Sequence, residues 1–139
     1  MKQQQSLFGP QYWSKYLQTV EQEKAKMLTF SDYQAQTVAT IVYPFERHSQ
    51  EAINYCILGL GGEVGEILEK WKKILRDVGG SVTLEKKEEL GKELGDVMWY
   101  LASLARELNL DLSEIASKNL EKLQSRKDRG VLHGSGDNR

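Results

Sequence analysis

The amino-acid sequence predicts an all-α protein, a four-helix bundle preceded by an extra N-terminal helix. Only two prolines occur in 139 residues, whereas Leu, Glu, Lys and Ala, which favour helices, are abundant. Apolar residues recur at steps of three and four along two long segments, which is the spacing of one buried helix face. No useful stretch alternates between apolar and polar residues, as a half-buried strand would. These observations together predict helices packed around an apolar core.

Residues 1–30 are predicted to be a helical extension. Tyr12 and Tyr16 lie on one face of a helix over residues 10–28. The remaining residues, 31–139, are predicted to form one domain, because a single domain commonly has ~100–200 residues.

The first helix of this domain is predicted from its capping residues. Ser31 and Gln34 have the spacing of a capping box, in which two side chains satisfy the first free backbone N–H groups. The helix is predicted to run to about Tyr43. Pro44 ends it, because the residue before a proline is disfavoured in the helical conformation.

Two long helices are predicted next, over residues 51–77 and 84–109. Gly79-Gly80-Ser81 separates them, and Thr83 is the predicted N-cap of the second. Each helix carries one apolar stripe that we predict to be buried. The stripes are Ile57, Leu60, Val64, Ile67, Trp71 and Ile74, then Leu90, Leu94, Val97, Leu101, Leu104 and Leu108.

A last helix is predicted from Asp111 to about Lys127. Asp111 and Glu114 have capping-box spacing. The tail, residues 130–139, is Gly-rich and polar and shows no helical pattern.

Composition excludes several classes of function. A net charge of −1 gives no bulk electrostatic reason to bind nucleic acid or an anionic membrane. A single cysteine, Cys56, excludes an internal disulfide framework and a multi-cysteine zinc site. No apolar run approaches the ~20 residues needed to span a bilayer, and residues 1–10 lack the apolar segment of a secretory signal. We therefore expect a cytoplasmic protein.

Two pairs of acids carry the chemistry in this sequence. Glu63 and Glu66 lie three residues apart beside the first apolar stripe, and Glu93 and Asp96 do the same beside the second. Tyr100 lies on the same flank and is a candidate for substrate binding or for the core. If the two helices pack together, all four carboxylates can converge.

Convergence of four carboxylates requires either protonation or a cation. Two like charges at ~4 Å repel by about 4 kcal/mol at an effective dielectric constant of ~20. Oxygen-only ligands favour Mg²⁺, Mn²⁺ or Ca²⁺ over zinc. An isolated Glu-x-x-Glu pair is usually a solvated helix face, but two pairs on adjacent helices favour a metal site.

A row of polar residues on the last helix is a candidate phosphate contact. Asn119, Lys122 and Arg126 share one helix face, and Arg and Lys bind phosphate oxygens well. The alternative interpretation is a basic last turn that complements the helix dipole.

These residues together resemble the MazG-like all-α nucleoside triphosphate pyrophosphohydrolases. The similarity covers about residues 31–139. Its motifs are Gly59-Leu-Gly-Gly-Glu-Val-Gly-Glu66, Glu93-Leu-Gly-Asp-Val-Met-Trp-Tyr-Leu101, Asn119-Leu-Glu-Lys122 through Arg126, and the tail from Arg129. The tail resembles that of the short single-domain branch found in phages and bacteria. The sequence departs from the family pattern at Glu89, where a lysine often stands.

The resemblance implies hydrolysis of a (deoxy)nucleoside triphosphate to the monophosphate and pyrophosphate, in sanitation or balance of the nucleotide pool. It implies that Glu63, Glu66, Glu93 and Asp96 hold Mg²⁺, or Mn²⁺ in its place, and provide the catalytic carboxylates. It also implies that Asn119, Lys122 and Arg126 bind substrate. Family members form homodimers or homotetramers whose sites use helices of more than one chain.

Other functions remain open from the sequence. A non-catalytic helical interaction module would leave the acids solvated and without metal. A phosphoribosyl-ATP pyrophosphohydrolase belongs to the same superfamily and differs in substrate. A di-iron bundle is disfavoured, because Glu66 and Asp96 stand where that design needs histidines.

Overall fold

A computed structural model describes residues 28–133, together with Gln11 and Ser14. Apart from Gln11, Ser14 and Leu28, the helix predicted over residues 10–28 therefore lies outside the described residues. The end of the Gly-rich tail lies outside them as well. The domain boundary after residue 30 stays a prediction.

The all-α prediction is confirmed. The described residues form four α-helices and one 3₁₀ helix, and they include no strand. None of these helices is long and apolar enough to cross a membrane. In chain order the elements are α1 (Phe30–Gln36), the 3₁₀ helix (Thr37–Thr40), α2 (Gln50–Val78), α3 (Leu84–Glu107) and α4 (Leu112–Asp128).

The predicted capping box of the first helix is wrong by two residues. Thr29 is the N-cap: its hydroxyl accepts from the Asp32 N–H at 3.0 Å, and the Asp32 carboxylate accepts from the Thr29 N–H at 3.1 Å. This pair has the same spacing as Ser31 and Gln34, and an acid in the first turn also complements the helix dipole. Ser31 instead donates to the Asp111 carboxylate at 2.9 Å, which ties α1 to the start of α4.

The first helix also ends earlier than Tyr43. The Thr37 hydroxyl donates to the Gln34 carbonyl at 2.9 Å, and the Thr40 hydroxyl donates to the Thr37 carbonyl at 3.0 Å. Arg106 of α3 donates to the Gln34 carbonyl and to the Thr37 hydroxyl. These bonds occupy carbonyl groups that a continuing α-helix would use, so the chain tightens into the 3₁₀ helix and then extends.

Helices α2 and α3 form a long antiparallel hairpin whose ends match the prediction. Gly79 adopts φ +60° in the turn between them, a left-handed conformation that suits glycine. The Thr83 hydroxyl caps α3, and Asn109, at φ +57°, ends the helical path just beyond it. Asp111 caps α4 through the Glu114 N–H at 3.0 Å.

The two apolar stripes, by contrast, are not buried within the chain as predicted. Of their twelve residues only Ile74 is buried, while Ile57 is 51% and Leu94 is 55% exposed. Helix α4 packs against α1, and α1 packs against α3. Among the described residues the buried apolar core is small, and its members are Tyr43, Ala52, Cys56, Ile74, Ala102, Ala105 and Leu112.

A buried carboxylate fixes the connection between the 3₁₀ helix and α2. Glu107 is 1% exposed, and its carboxylate accepts from the Tyr43 hydroxyl at 2.5 Å and from the His48 N–H at 2.7 Å. Burial acts to raise the pKa of Glu107, but the donors Tyr43 and His48 outweigh it and lower the pKa. The ionised form therefore stabilises the fold at pH values above the ordinary carboxyl range.

We expect Glu107→Gln to lower the free energy of unfolding by about 1–3 kcal/mol at neutral pH, because the amide accepts these bonds less well. The loss should shrink as the pH falls through the lowered pKa of Glu107, where the wild-type carboxylate becomes protonated. Denaturant unfolding at several pH values measures this. Glu114→Gln is the control, because Glu114 is exposed and its carboxylate pairs with the exposed Lys118. An equal loss of stability in both variants would contradict the prediction.

Candidate active site

Three of the four predicted acids meet between the two long helices. Glu63 of α2 and Glu93 and Asp96 of α3 each offer one carboxylate oxygen, and these oxygens lie within 4.8 Å of one another. Glu66 lies one turn further along α2 and is exposed; it is not part of this acid cluster. The i, i+3 spacing on α3 turns both of its acids towards α2.

The acid cluster has the electrostatics of a cation site. Burial, followed by the charges of Asp96, Glu66 and Glu93, raises the pKa of Glu63 above its usual range. All donors are carboxylate oxygens, which fit a hard divalent cation. No histidine of the described residues joins the cluster, so the site does not fit a carboxylate–histidine di-iron centre.

An open cleft of about 500 Å³ adjoins the acid cluster. It is lined by the acids Glu63 and Asp96 and by Thr40, Trp99 and Tyr100. The Trp99 indole N–H donates to the Thr40 hydroxyl at 2.7 Å, and the Trp99 and Tyr100 rings meet edge to face at 5.0 Å. The cleft therefore places flat aromatic surfaces next to carboxylates.

Tyr100 reaches this position because residue 59 is glycine. A Cβ atom on Gly59 would lie 2.0 Å from Cε1 of Tyr100, so a larger residue excludes the ring. Burial and the neighbouring Tyr55 raise the pKa of Tyr100 to about 12, which keeps its hydroxyl protonated near neutral pH. The missing side chain at Gly59 thus makes room for a ring of the same chain.

We expect Gly59→Ala to destabilise the protein by about 1–3 kcal/mol, because the Tyr100 ring must move. Gly61→Ala is the matched control: nothing lies within 4 Å of its added Cβ, so it should stabilise α2 by up to ~1 kcal/mol. Chemical denaturation measures both. The double variant Gly59→Ala/Tyr100→Leu should recover part of the loss, and equal stability of the two alanine variants would contradict the role of Gly59.

The three candidate phosphate contacts on α4 lie apart from the cleft. Asn119 and Lys122 are exposed, whereas Arg126 is only 5% exposed. None of them lines the cleft or contributes to the raised pKa of Glu63. Their contact with phosphate stays a prediction.

A lysine that the sequence did not predict lies at the acid cluster. The Lys70 ammonium lies 3.3 Å from Oε1 of Glu93. Lys70 follows Glu63 by seven residues, which places both on one face of α2, but this spacing does not indicate that Glu93 of α3 is the partner of the ammonium. At the position where the family often has lysine, Glu89 accepts from Lys86 at 2.8 and 2.9 Å.

Cys56 is buried, and burial raises the pKa of its thiol, so it is unsuited as a nucleophile.

The antiparallel hairpin places the protein in the class of all-α proteins whose helices present converging carboxylates. Within it, the MazG nucleotide pyrophosphohydrolase domain matches residues 51–131, and the chain belongs to this family. The resemblance found in the sequence is confirmed. Enzymes of this type are generally metal-dependent nucleotide pyrophosphohydrolases.

A similar protein occurs in a bacteriophage. The chain is 53% identical over 109 residues to the Gene 37 protein of Mycobacterium phage L5, and the alignment covers 77% of this chain and 96% of the phage protein. No solved structure matches the chain.

Proposed function

We propose that this protein hydrolyses (deoxy)nucleoside triphosphates to the monophosphate and pyrophosphate with Mg²⁺, in sanitation or balance of the cytoplasmic nucleotide pool. The observation that supports this most directly is the acid cluster at the edge of an aromatic cleft. Carboxylates suit a metal that meets phosphates, and aromatic faces suit a nucleobase.

Glu63, Glu93 and Asp96 would hold the Mg²⁺, or Mn²⁺ in its place, and Glu66 lies beside them. When bound, the metal would neutralise charge on the phosphates and lower the pKa of a bound water. Burial and then the charges of the neighbouring acids raise the pKa of Glu63, and a bound cation would relieve the repulsion among these acids.

The chain's own residues position the reactants. A carboxylate of the acid cluster orients the attacking water and accepts its proton. The water oxygen bonds to the α-phosphorus as the bond from that phosphorus to the bridging oxygen breaks, and pyrophosphate leaves. Trp99 and Tyr100 provide surfaces for the base, and Thr40 fixes the indole of Trp99.

A second copy of the chain would complete this site. The uncovered stripes of α2 and α3 offer an apolar surface for another hairpin, and helices that are apolar on an exposed face need such burial. Asn119, Lys122 and Arg126 lie away from the acid cluster of their own chain. We propose a homodimer or homotetramer in which α4 of one copy reaches the cleft of another.

A panel of triphosphates tests the proposed activity. Canonical, oxidised and deaminated nucleotides and phosphoribosyl-ATP are incubated with the protein and Mg²⁺, and pyrophosphate is separated from phosphate. We expect pyrophosphate with the monophosphate. Release of phosphate with the diphosphate would overturn the proposal, and a marked preference for phosphoribosyl-ATP would establish the alternative substrate. Absence of Mn²⁺ binding in calorimetry, together with no turnover, would indicate a helical interaction module.

A further inference from the structure

A second concave site lies further along the hairpin, next to the acid cluster. It is a groove of about 270 Å³ whose charged lining residues are Lys70, Lys73, Asp77, Lys86 and Glu89. Three cations thus share one groove with two acids. We call it the lysine groove.

Both acids of the lysine groove already have cationic partners. Asp77 accepts from the Arg76 guanidinium at 2.5 and 2.9 Å, and Glu89 accepts from Lys86 at 2.8 and 2.9 Å. Lys73 reaches the exposed Glu69 at 3.4 Å, a pairing that solvent screens. Three lysines against two acids give the lining of the groove a formal charge of +1, which favours an anionic ligand.

Lys70 links the lysine groove to the acid cluster. Its ammonium lies 3.3 Å from Oε1 of Glu93, and the two side chains are 30% and 12% exposed. A divalent cation bound to the same carboxylate would meet a like charge at Lys70. Lysine carries its charge on a flexible four-carbon stem, so it can leave Glu93 without movement of the helix.

We propose that Lys70 is an exchangeable counter-ion. When metal is absent, Glu93 holds the Lys70 ammonium. When metal is present, Lys70 turns into the lysine groove and binds the terminal phosphates of the substrate. This inference rests on the proposed function for the identity of the ligand. It assigns the pyrophosphate end of the triphosphate to Lys70 and Lys73, with Lys86 held beside them by Glu89.

The first test measures Mn²⁺ affinity by calorimetry on the full chain without nucleotide. Lys70→Gln should tighten Mn²⁺ binding by about threefold to tenfold, because the competing charge at Glu93 is removed. Lys70→Arg keeps the charge and should bind Mn²⁺ as the wild type does. Lys72→Gln is the matched control, since Lys72 lies on the same helix, pairs with Glu69 and does not line the groove.

The second test measures binding of inorganic pyrophosphate at saturating Mn²⁺. Lys70→Gln and Lys73→Gln should each weaken pyrophosphate binding by about tenfold, as loss of a charge-assisted contact does. Lys72→Gln should leave it unchanged. Unchanged Mn²⁺ and pyrophosphate affinities in Lys70→Gln would overturn the inference, as would equal losses in Lys72→Gln.

The two proposals fail in different ways. If the wild type releases pyrophosphate from triphosphates but Lys70→Gln binds both probes normally, only the counter-ion role is wrong. If Lys70→Gln tightens Mn²⁺ binding but no triphosphate is hydrolysed, the counter-ion role of Lys70 stands, and the proposed function is wrong together with the triphosphate as the ligand of the groove. The Mn²⁺ measurement needs no turnover, which keeps these outcomes separate.

Discussion

Replacing Glu63, Glu93 or Asp96 by its amide is expected to lower kcat/KM for triphosphate by about 100-fold or more, equivalent to ~2.7 kcal/mol of transition-state stabilisation. Each substitution removes a negative oxygen donor from the acid cluster and keeps the side-chain shape. Glu66→Gln is expected to lose activity as well, since the charge of Glu66 reaches Glu63. Steady-state kinetics and Mn²⁺ calorimetry should show the losses in turnover and in metal affinity together.

The folded protein should tolerate these amides. Because burial and neighbouring acids raise the pKa of Glu63, its charge opposes folding without metal, and Glu63→Gln should raise the melting temperature under metal-free conditions. Added Mn²⁺ should stabilise the wild type but not Glu63→Gln. Glu69→Gln is the control, because Glu69 is exposed on α2 and pairs with Lys72 and Lys73. Wild-type turnover in three of the four acid variants would contradict the site.

Local signals in the sequence predicted the long helices and the acid cluster well. Glycine at residue 79 and the cap at Thr83 end one helix and begin the next, and both act through the backbone next to them. The i, i+3 spacing of Glu93 and Asp96 sets their common direction on the helix. Those features depend on few residues, so one sequence suffices to predict them.

Tertiary contacts decided what the sequence did not predict. Thr29 with Asp32 and Ser31 with Gln34 have the same capping-box spacing. The Ser31 hydroxyl donates to Asp111 of another helix, so Thr29 is the residue that caps α1. Arg106 ends α1 by donating to carbonyls distant in sequence. The ion pair between Lys70 and Glu93 was not predicted, because periodicity gives the helix face on which a residue lies but not the partner of a long side chain. An apolar stripe likewise predicts that a helix face is buried, but it does not predict whether the same chain or a second copy buries it.

The protein is expected to sediment at micromolar concentration as a homodimer or larger, at twice 15.9 kDa or more. Six of the twelve stripe residues on α2 and α3 are exposed in the described part of the chain, and large side chains such as Leu68, at 63% exposure, extend the same apolar surface. We expect this exposed apolar surface to form the interface between copies of the chain. An obligate interface of this kind commonly buries more than ~2,000 Å².

The double variant Ile57→Gln/Leu101→Gln should shift the assembly to monomers and lower activity with it. Ile57 and Leu101 are 51% and 41% exposed in the single chain, so the substitutions should change the stability of a monomer little. A two-fold interface would bury four of the new amides, and each should weaken the association by about 1.5–3 kcal/mol. The amides are uncharged and leave the field at the acid cluster unchanged. Leu58→Gln/Leu84→Gln is the matched control, because both leucines are more exposed and lie outside the stripes. Sedimentation equilibrium decides the question: a wild-type monomer that is stable and active would show that the stripes need no second copy.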